Sequence, residues 1–433
     1  MREDWVEVEL GDICFTTSGG TPSRQNKSFY EGNIPWVKSG ELDKGLILDS
    51  EEHISEEAIK KSSAKLFPKG TLLFALYGAT IGKMATLGVP AATNQAICGI
   101  YENEVLISKY LYHYLSNKKR ELIGKGIGGA QPNISQTILK QLLIPIAPLP
   151  EQRAIVAKIE ELFSDLDKGI ADLNLAKDQL KVYRQAVLKK AFEGELTKVK
   201  LQPKIINLGS VTGKPKYGTS KKCTLESKGT AVLRIPNIDS GFVNTDELKY
   251  AVFEEKEYSA LKLQEGDILT IRSNGSVDLV GKCALITKND LDYLYAGYLI
   301  RLRPNLEKID PKYLLHCLSS HDLRVQIESK AKSTSGVNNI NSGELEGLKI
   351  PIFAIQEQHQ IVREIESRLS VCDKVEQSIT ESLEKAKALR QSILKKAFEG
   401  TLLSASELAN CKAEKDYEPA SALLDRIRKE KKK

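Results

Sequence analysis

Five histidines, seven cysteines and one glycine-lysine turn are the residues of this 433-residue chain whose types could support catalysis, metal binding or phosphate capture. His53, His113, His316, His321 and His359 have no acid or nucleophile at a fixed spacing, so none is assigned as a base. Cys14, Cys98, Cys223, Cys283, Cys317, Cys372 and Cys411 lie far apart, without C-x-x-C pairs or histidines at ligand spacing. Free thiols and no structural metal are therefore expected. Gly78-Ala79-Thr80-Ile81-Gly82-Lys83-Met84 falls one residue short of a P-loop and lacks the hydroxyl that would hold magnesium, so it reads as a strand turn. There is no nucleophile elbow, zinc-protease helix, deaminase spacing or dinucleotide fingerprint. The Asn-Pro-Pro-aromatic tetrapeptide with which amino-methyltransferases hold a flipped adenine is also absent. What remains is binding chemistry in loops such as Thr16-Thr17-Ser18-Gly19-Gly20-Thr21-Pro22-Ser23-Arg24, which offers backbone N–H groups and hydroxyls.

The elements that must position such loops are declared by a duplication. A shift of 206 residues lays EQRAIVAKIE on EQHQIVREIE and RQAVLKKAFEGEL on RQSILKKAFEGTL without a gap. In the first copy Ile155, Ile159, Leu162, Leu166, Ile170, Leu173, Ala176, Leu180, Tyr183 and Val187 recur at helical steps. Ile361, Ile365, Leu369, Cys372, Ile379, Leu383, Ala386 and Ile393 form the matching stripe of the second. Pro150 suits a first helical turn, and Gly194 and Gly400 stand where left-handed caps would end each helix. Each copy is thus predicted to be one helix of roughly 60–65 Å, and the two stripes a coiled-coil pair of rods.

Composition bounds the rest. Hydrophobic residues make up 41% and charged residues 28%, with no apolar run long enough to span a membrane and no export signal at the start, so a cytoplasmic chain is expected. The net charge of +6 is uneven: residues 197–356 carry 23 Lys+Arg against 18 Asp+Glu, whereas residues 1–150 balance. Residues 1–150 read as a loop-rich mixed α/β globe with strands at Trp5–Leu10, Ile34–Lys38, Thr71–Leu76, Ile81–Leu87 and Ala96–Ile100 and a helix over Ser108–Leu122. A glycine-rich turn, Gly124 to Gly129, follows. Residues 197–356 repeat the plan in divergent sequence. Ala231–Ile235 answers Ile34–Lys38, Gly266–Leu269 answers Gly70–Leu73, and Lys312–Leu318 answers Lys109–Leu115. The loops differ most, Gly213–Lys222 and Arg272–Ser276 above all, and loops on a shared scaffold are where binding specificity diverges. The domain plan is a globe over 1–150, a helix over 151–196, a second globe over 197–356, a second helix over 357–402 and a tail over 403–433 with a short helix from Ala420 to Arg428.

Two divergent globes, each followed by a helix that ends in LKKAFEG, resemble the specificity subunit of type I restriction–modification enzymes over the whole chain. The carrying features are the EQ-x-x-IV-x-x-IE and RQ-x-[VI]-LKKAFEG helix ends, Gly19–Arg24 with Ile34–Lys38, and Leu233–Asn237 with Gly266–Leu269. The resemblance implies an α/β fold of two target-recognition domains joined by two long helices in an antiparallel coiled coil, a pseudo-twofold internal repeat. It further implies a non-catalytic subunit whose domains each read half of an asymmetric bipartite site in double-stranded DNA. The coiled coil would set the spacer and dock two methyltransferase subunits, which bind S-adenosylmethionine, while this chain binds no cofactor. Restriction–translocase subunits would join them. A stand-alone DNA-binding regulator on the same scaffold, or a protein-only coiled-coil scaffold, is the alternative.

On that reading, arginine and lysine pair with guanine, asparagine and glutamine with adenine, and hydroxyls with phosphate. The candidates in the first globe are Thr21, Ser23, Arg24, Lys38, Tyr77, Thr80, Lys83, Asn94 and Gln95. In the second they are Lys214, Lys216, Tyr217, Lys221, Arg234, Asn237, Arg272, Asn274, Ser276 and Lys282.

Overall fold

A computed structural model describes residues 2–126, 133–197, 202–331 and 336–430; of the expected glycine-rich turn, Ile127, Gly128 and Gly129 lie outside them. The first globe contains β1 (Val6–Glu9), α1 (Leu10–Ile13), β2 (Thr16–Ser18), β3 (Ile34–Val37), β4 (Leu46–Ile47), β5 (His53–Ile54), α2 (Glu56–Lys61), β6 (Leu66–Phe67), β7 (Leu72–Ala75), β8 (Met84–Leu87), β9 (Ala91–Thr93), β10 (Ile97–Ile100), α3 (Ser108–Gly124), α4 (Gln136–Lys140) and β11 (Leu143–Ile146). The first long helix, α5 (Leu149–Phe192), follows. The second globe holds β12 (Lys204–Asn207), β13 (Lys216–Tyr217), β14 (Thr230–Leu233), β15 (Lys249–Ala251), α6 (Glu255–Leu261), β16 (Ile268–Ile271), β17 (Ser273–Asn274), β18 (Cys283–Leu285), β19 (Leu294–Tyr295), β20 (Leu299–Leu302), α7 (Pro311–Leu318), α8 (His321–Ala331), β21 (Asn338–Asn339), α9 (Ser342–Glu346) and β22 (Lys349–Ile352). The second long helix, α10 (Ile355–Phe398), and two tail helices, α11 (Ala405–Ala413) and α12 (Ala420–Glu430), come after it.

Contacts divide the chain into unit 1, residues 1–172 with 382–433, and unit 2, residues 173–381. Unit 1 has sheets ordered β2-β10-β7-β8-β4 and β5-β3-β9-β6, with β1 paired to β11. Unit 2 repeats this as β13-β20-β16-β18 and β15-β14-β19, with β12 paired to β22, and adds a β17–β21 ladder. Both units keep a parallel pair among mostly antiparallel ones, β3 with β9 and β14 with β19, and unit 1 has a second, β4 with β8. The 17-residue α3 is replaced in unit 2 by α7 and α8, broken at Ser319-Ser320.

Each 44-residue helix, about 66 Å long at 1.5 Å per residue, is fixed at both ends by the repeated letters. At the end, Gly194 and Gly400 adopt φ of 78° and 76°. There Gly194 N donates to Ala191 O and Glu195 N to Lys190 O, and Gly400 N to Ala397 O and Thr401 N to Lys396 O, the same Schellman cap twice. At the start, Gln152 is fully buried, its Nε2 donating to Val105 O and Ala147 O while its Oε1 accepts from Ile107 N. Gln358 makes the equivalent three bonds, to Lys308 O and Phe353 O and from Asp310 N. The glutamine of each EQ motif therefore bolts a globe to its helix.

The helices run antiparallel within each unit. In unit 1 Arg390 stacks on Phe163 and pairs with Asp167, while Ile155 lies with Ala397. In unit 2 Arg184 pairs with Asp373 at 2.8 Å and Glu376 at 3.0 Å. Arg184–Asp373 and Arg390–Asp167 are one ion pair used twice, since both residues shift by 206. The expected stripe is only partly buried. Ile155, Ile159 and Val187 are covered where a globe adds a third layer, but Leu162, Leu166, Ile170, Leu173 and Leu180 are half-buried and Tyr183 is exposed. Two helices alone cannot enclose each other's stripe, and Arg184 takes the seam position beside Tyr183.

In unit 1 the tail packs back on the N-terminus. Leu403, Cys411, Ala420, Leu423 and Leu424 join the core of Trp5, Leu10 and Tyr110, and Tyr417 Oη donates to Asp4 at 2.9 Å. Trp5 Nε1 in turn donates to the buried Glu151 at 2.8 Å.

Candidate nucleic-acid interface

Register decides which loops meet. In unit 1 β10 pairs Cys98 with Ser18 and Ile97 with Ala75, so the end of β2, the start of β10 and the end of β7 lie together. The parallel pairing of Val37 with Thr93 brings the end of β3 to the same place. Gly20 N donates to Thr93 O, Asn94 N to Val37 O and Leu76 N to Ala96 O, closing the loops on one another. Thr21, Arg24, Lys38, Asn94 and Gln95 thus form one cluster, with Tyr77 bridged nearby to Asn133. Gly19 is required here, because a Cβ would overlap Thr93 Oγ1. Gly218 fills the same role in unit 2, where a Cβ would overlap Tyr295 O.

The charges of the unit 1 cluster are internally satisfied. Arg24 Nη1 donates to Glu52 at 2.6 Å while its guanidinium carbon sits 4.2 Å from the Tyr30 ring centroid and 5.1 Å from that of Trp36. Lys38 Nζ reaches Glu51 at 3.2 Å and Glu52 at 3.1 Å. The hydrogen bond from Arg24, then that from Lys38, holds the Glu52 carboxyl below the usual carboxylate range against the opposing effect of burial. Thr21 donates to Gln95, and Ser23 is exposed. Asn94 keeps a buried Oδ1 for which no partner is found among the described residues.

In unit 2 the same strand ends frame a cleft lined by Tyr217, Thr219, Lys221, Lys222, Arg234, Lys249, Arg272 and Tyr298, with no carboxylate in its lining. Lys221 pairs with Glu257 and Arg234 with Glu247 at 3.1 Å, both acids standing outside that lining. Arg272 stacks on Tyr217, 4.7 Å from its centroid. Lys222, Lys249 and Arg272 have no ion-pair partner among the described residues. Of these, Lys222 follows Lys221 directly and was visible in the loop sequence. Lys249 on β15 and Tyr298 before β20 reach the cleft only through sheet pairing, so no local pattern announced them.

Several candidates lie elsewhere. Asn237 is buried: its Nδ2 donates to Asn244 O and Glu247 O, and its Oδ1 accepts from Arg234 N, so it shapes the loop and has no donor left. Lys83 pairs with Asp43 at 2.8 Å and lines a groove with His113, Phe163 and Arg390, against the helices. Lys282 lines the equivalent groove with Arg184, His316 and Leu369. Both follow a glycine in the turn before β8 or β18, and that turn points at the seam, away from the loop cluster. Thr80 shares the first of these turns, its carbonyl accepting from Lys83 N. Lys216 is tied to Ala260 O at 2.7 Å, and Lys214 is exposed on the strand approach. Asn274 belongs to the β17–β21 ladder, its Oδ1 accepting from Ser276 N at 2.9 Å.

The sequence profile described as the type I restriction modification DNA specificity domain matches this chain twice, over residues 2–174 and 204–385. The chain belongs to that family. The specificity subunit of the type I restriction enzyme EcoKI of Escherichia coli strain K12 is 28% identical over 447 residues, covering 100% of this chain and 96% of its own length. That of the Salmonella potsdam enzyme StySPI is 26% identical over 448 residues, with the same coverage. Among solved structures, a chain from work titled structural basis underlying complex assembly and conformational transition of the type I R-M system superposes with a TM-score of 0.75 at 21% identity, covering 93% of this chain and 99% of its own. The HsdS subunit from Thermoanaerobacter tengcongensis gives 0.60 at 20% identity, over 93% and 98%. The family's fold is therefore that described above: two mixed α/β domains and two long helices that pack together.

Proposed function

We propose that this specificity subunit recognises an asymmetric, interrupted sequence in double-stranded DNA, the globe of each unit reading one half, with residues 1–150 and 197–356 as the reading domains. The observation that carries this is the repetition of one scaffold with two differently lined loop clusters at equivalent strand ends. A duplicated reader with divergent loops contacts two different half-sites, because base edges are read by side chains while the scaffold sets only their position. The reading side chains are Thr21, Ser23, Arg24, Lys38, Tyr77, Asn94 and Gln95 in unit 1 and Tyr217, Lys221, Lys222, Arg234, Lys249, Arg272 and Tyr298 in unit 2.

The chain itself is a non-catalytic part of a cytoplasmic complex. Two methyltransferase subunits carry S-adenosylmethionine, and restriction–translocase subunits join them. The long helices carry exposed apolar residues, Leu175, Val182, Val371 and Leu389, along which such subunits would dock. No helix among the described residues is long and apolar enough to cross a membrane.

The test is to map methylated adenines in cells carrying the chain and its methyltransferase partner. A bipartite motif that vanishes when this chain is deleted is expected. Robust methylation by the purified chain alone, or no DNA binding by the complex, overturns the proposal.

A further inference from the structure

In the unit 2 cleft, Arg272 is held more completely than any other free cation. Its backbone is fixed on both sides, Arg272 N donating to Tyr298 O and Ile340 N to Arg272 O, each at 2.9 Å. Its side chain is fixed twice more. Nε donates to Asn339 Oδ1 at 3.1 Å, and the guanidinium lies over the Tyr217 ring, which is itself anchored by Ser342 N donating to Tyr217 Oη at 3.0 Å. The ring contact and the Nε bond together restrict how the guanidinium can turn. Among the described residues its two terminal nitrogens have no partner, and no carboxylate lines the cleft to take them. The result is a planar fork of N–H donors in the cleft lining, restrained before any ligand arrives.

We propose that Arg272 reads a guanine in the half-site of unit 2, its two terminal nitrogens donating to O6 and N7 on the major-groove edge. The inference rests on the DNA-recognition reading above. Guanine alone among the bases offers two adjacent acceptors on that edge, and a planar guanidinium fork matches it bidentately. Phosphate is better assigned to Lys222 and Lys249, ammonium point charges on flexible stems that tolerate many approach angles. The equivalent position in unit 1, the residue after β7, is Leu76, so this reading device belongs to one half only. Arg24, the stacked arginine of the unit 1 cluster, has Nη1 engaged by Glu52.

The experiment selects duplexes from a random library with the full chain in its methyltransferase complex, comparing wild type with Arg272→Lys and Arg272→Ala. Wild type is expected to enrich a bipartite motif with one invariant guanine that both variants lose at that position alone, discrimination there falling about 10- to 100-fold. Placing 7-deazaguanine at that position, which removes the N7 acceptor, weakens wild type and leaves Arg272→Ala unaffected. Asn339→Ala, which frees the Nε but keeps the charge, gives an intermediate loss at the same base. A uniform loss over all sequences makes Arg272 a phosphate contact and overturns the proposal, as does an unchanged motif. If wild type enriches no motif at all, it is the DNA-recognition reading that fails, and the assignment of Arg272 falls with it.

Discussion

Unit 1 and unit 2 gather loops at the same strand ends, yet they handle charge in opposite ways. In unit 1 Arg24 and Lys38 converge on Glu52, so the cluster presents cations that are already paired, beside the hydroxyl and amide of Thr21 and Gln95. In unit 2 the acids Glu247 and Glu257 hold Arg234 and Lys221 from outside the cleft, and Lys222, Lys249 and Arg272 are left over. Beneath both faces the bolts are the same: Gln152 and Gln358 make three equivalent bonds each. A duplicated fold thus keeps its buried polar network fixed and varies the exposed loops, because an error in the first costs stability while a change in the second alters only what is bound.

The largest effect expected from this comparison is in the part that is shared. Gln152→Leu and Gln358→Leu each strand two carbonyls and one N–H in a buried site, at about 1 kcal/mol or more per group, so each should destabilise its own unit by roughly 3 kcal/mol. Hydrogen exchange of the first turns of α5 and α10 reads the two separately. Losses that differ between units by much more than about 1 kcal/mol would show that the two junctions are not one device.

A smaller effect separates the units. His113 is buried against Phe163, and desolvation lowers its pKa from the usual 6.5 to about 4. Since the unfolded chain binds the proton first, the stability tied to the neutral ring is complete above pH 6.5 and lost as pH falls toward 4, up to about 3 kcal/mol for a shift of this size. The pKa of His316 is lowered for the same reason, but that ring is only half-buried. Denaturation at pH 7 and pH 4.5 should therefore show unit 1 gaining acid resistance from His113→Leu, with a smaller gain in unit 2 from His316→Leu. Equal responses would mean that the two histidines share one environment.

These contrasts also show what the sequence could carry. The long helices, their glycine caps and several of the strands were legible, because caps and periodicity are local and the duplication repeats them in register, whereas the order of strands in the sheets was not. The EQ letters were visible too, but that the glutamine is buried and bonded to a loop 45 residues away was not. At the proposed reading faces, the loops that gather were legible, and the place of each side chain within them was not. Asn237 carries the right side chain for adenine but finds carbonyls of its own loop, and Lys83 and Lys282 sit on turns directed at the helices. Lys249 and Tyr298 come from a strand and a strand entry whose pairing alone brings them to Arg272.

Salt dependence sharpens the comparison of charge. Each phosphate neutralised contributes about 0.9 to the slope of log K against log salt. Lys222→Ala and Lys249→Ala should each lower the slope by about that amount, since neither cation has an internal partner to return to. Lys38→Ala should lower it by less, because Lys38 is already paired with Glu51 and Glu52 and so neutralises less phosphate. A full unit of slope lost on Lys38→Ala would make unit 1 as open a cationic face as unit 2.

The smallest effect asks whether Glu52 is only a brace. Its carboxyl is pulled below the ordinary range by Arg24 and then Lys38, yet the Arg24 side chain is 56% exposed, so the pair adds at most about 1 kcal/mol to folding. Glu52→Gln keeps the shape and removes the charge, which raises the net charge of the unit 1 face by one and leaves Arg24 and Lys38 free to meet phosphate. Affinity for random duplex should rise and the salt slope steepen by somewhat less than one unit, with the unit 2 half-sequence unchanged in a selected motif. A fall in affinity confined to one base of the unit 1 half-site would give Glu52 a different part: a carboxylate accepts from the N4 amino group of cytosine. In that case Arg24 and Lys38 would be the braces and Glu52 the reader, and the two units would differ in the sign of the charge with which they read.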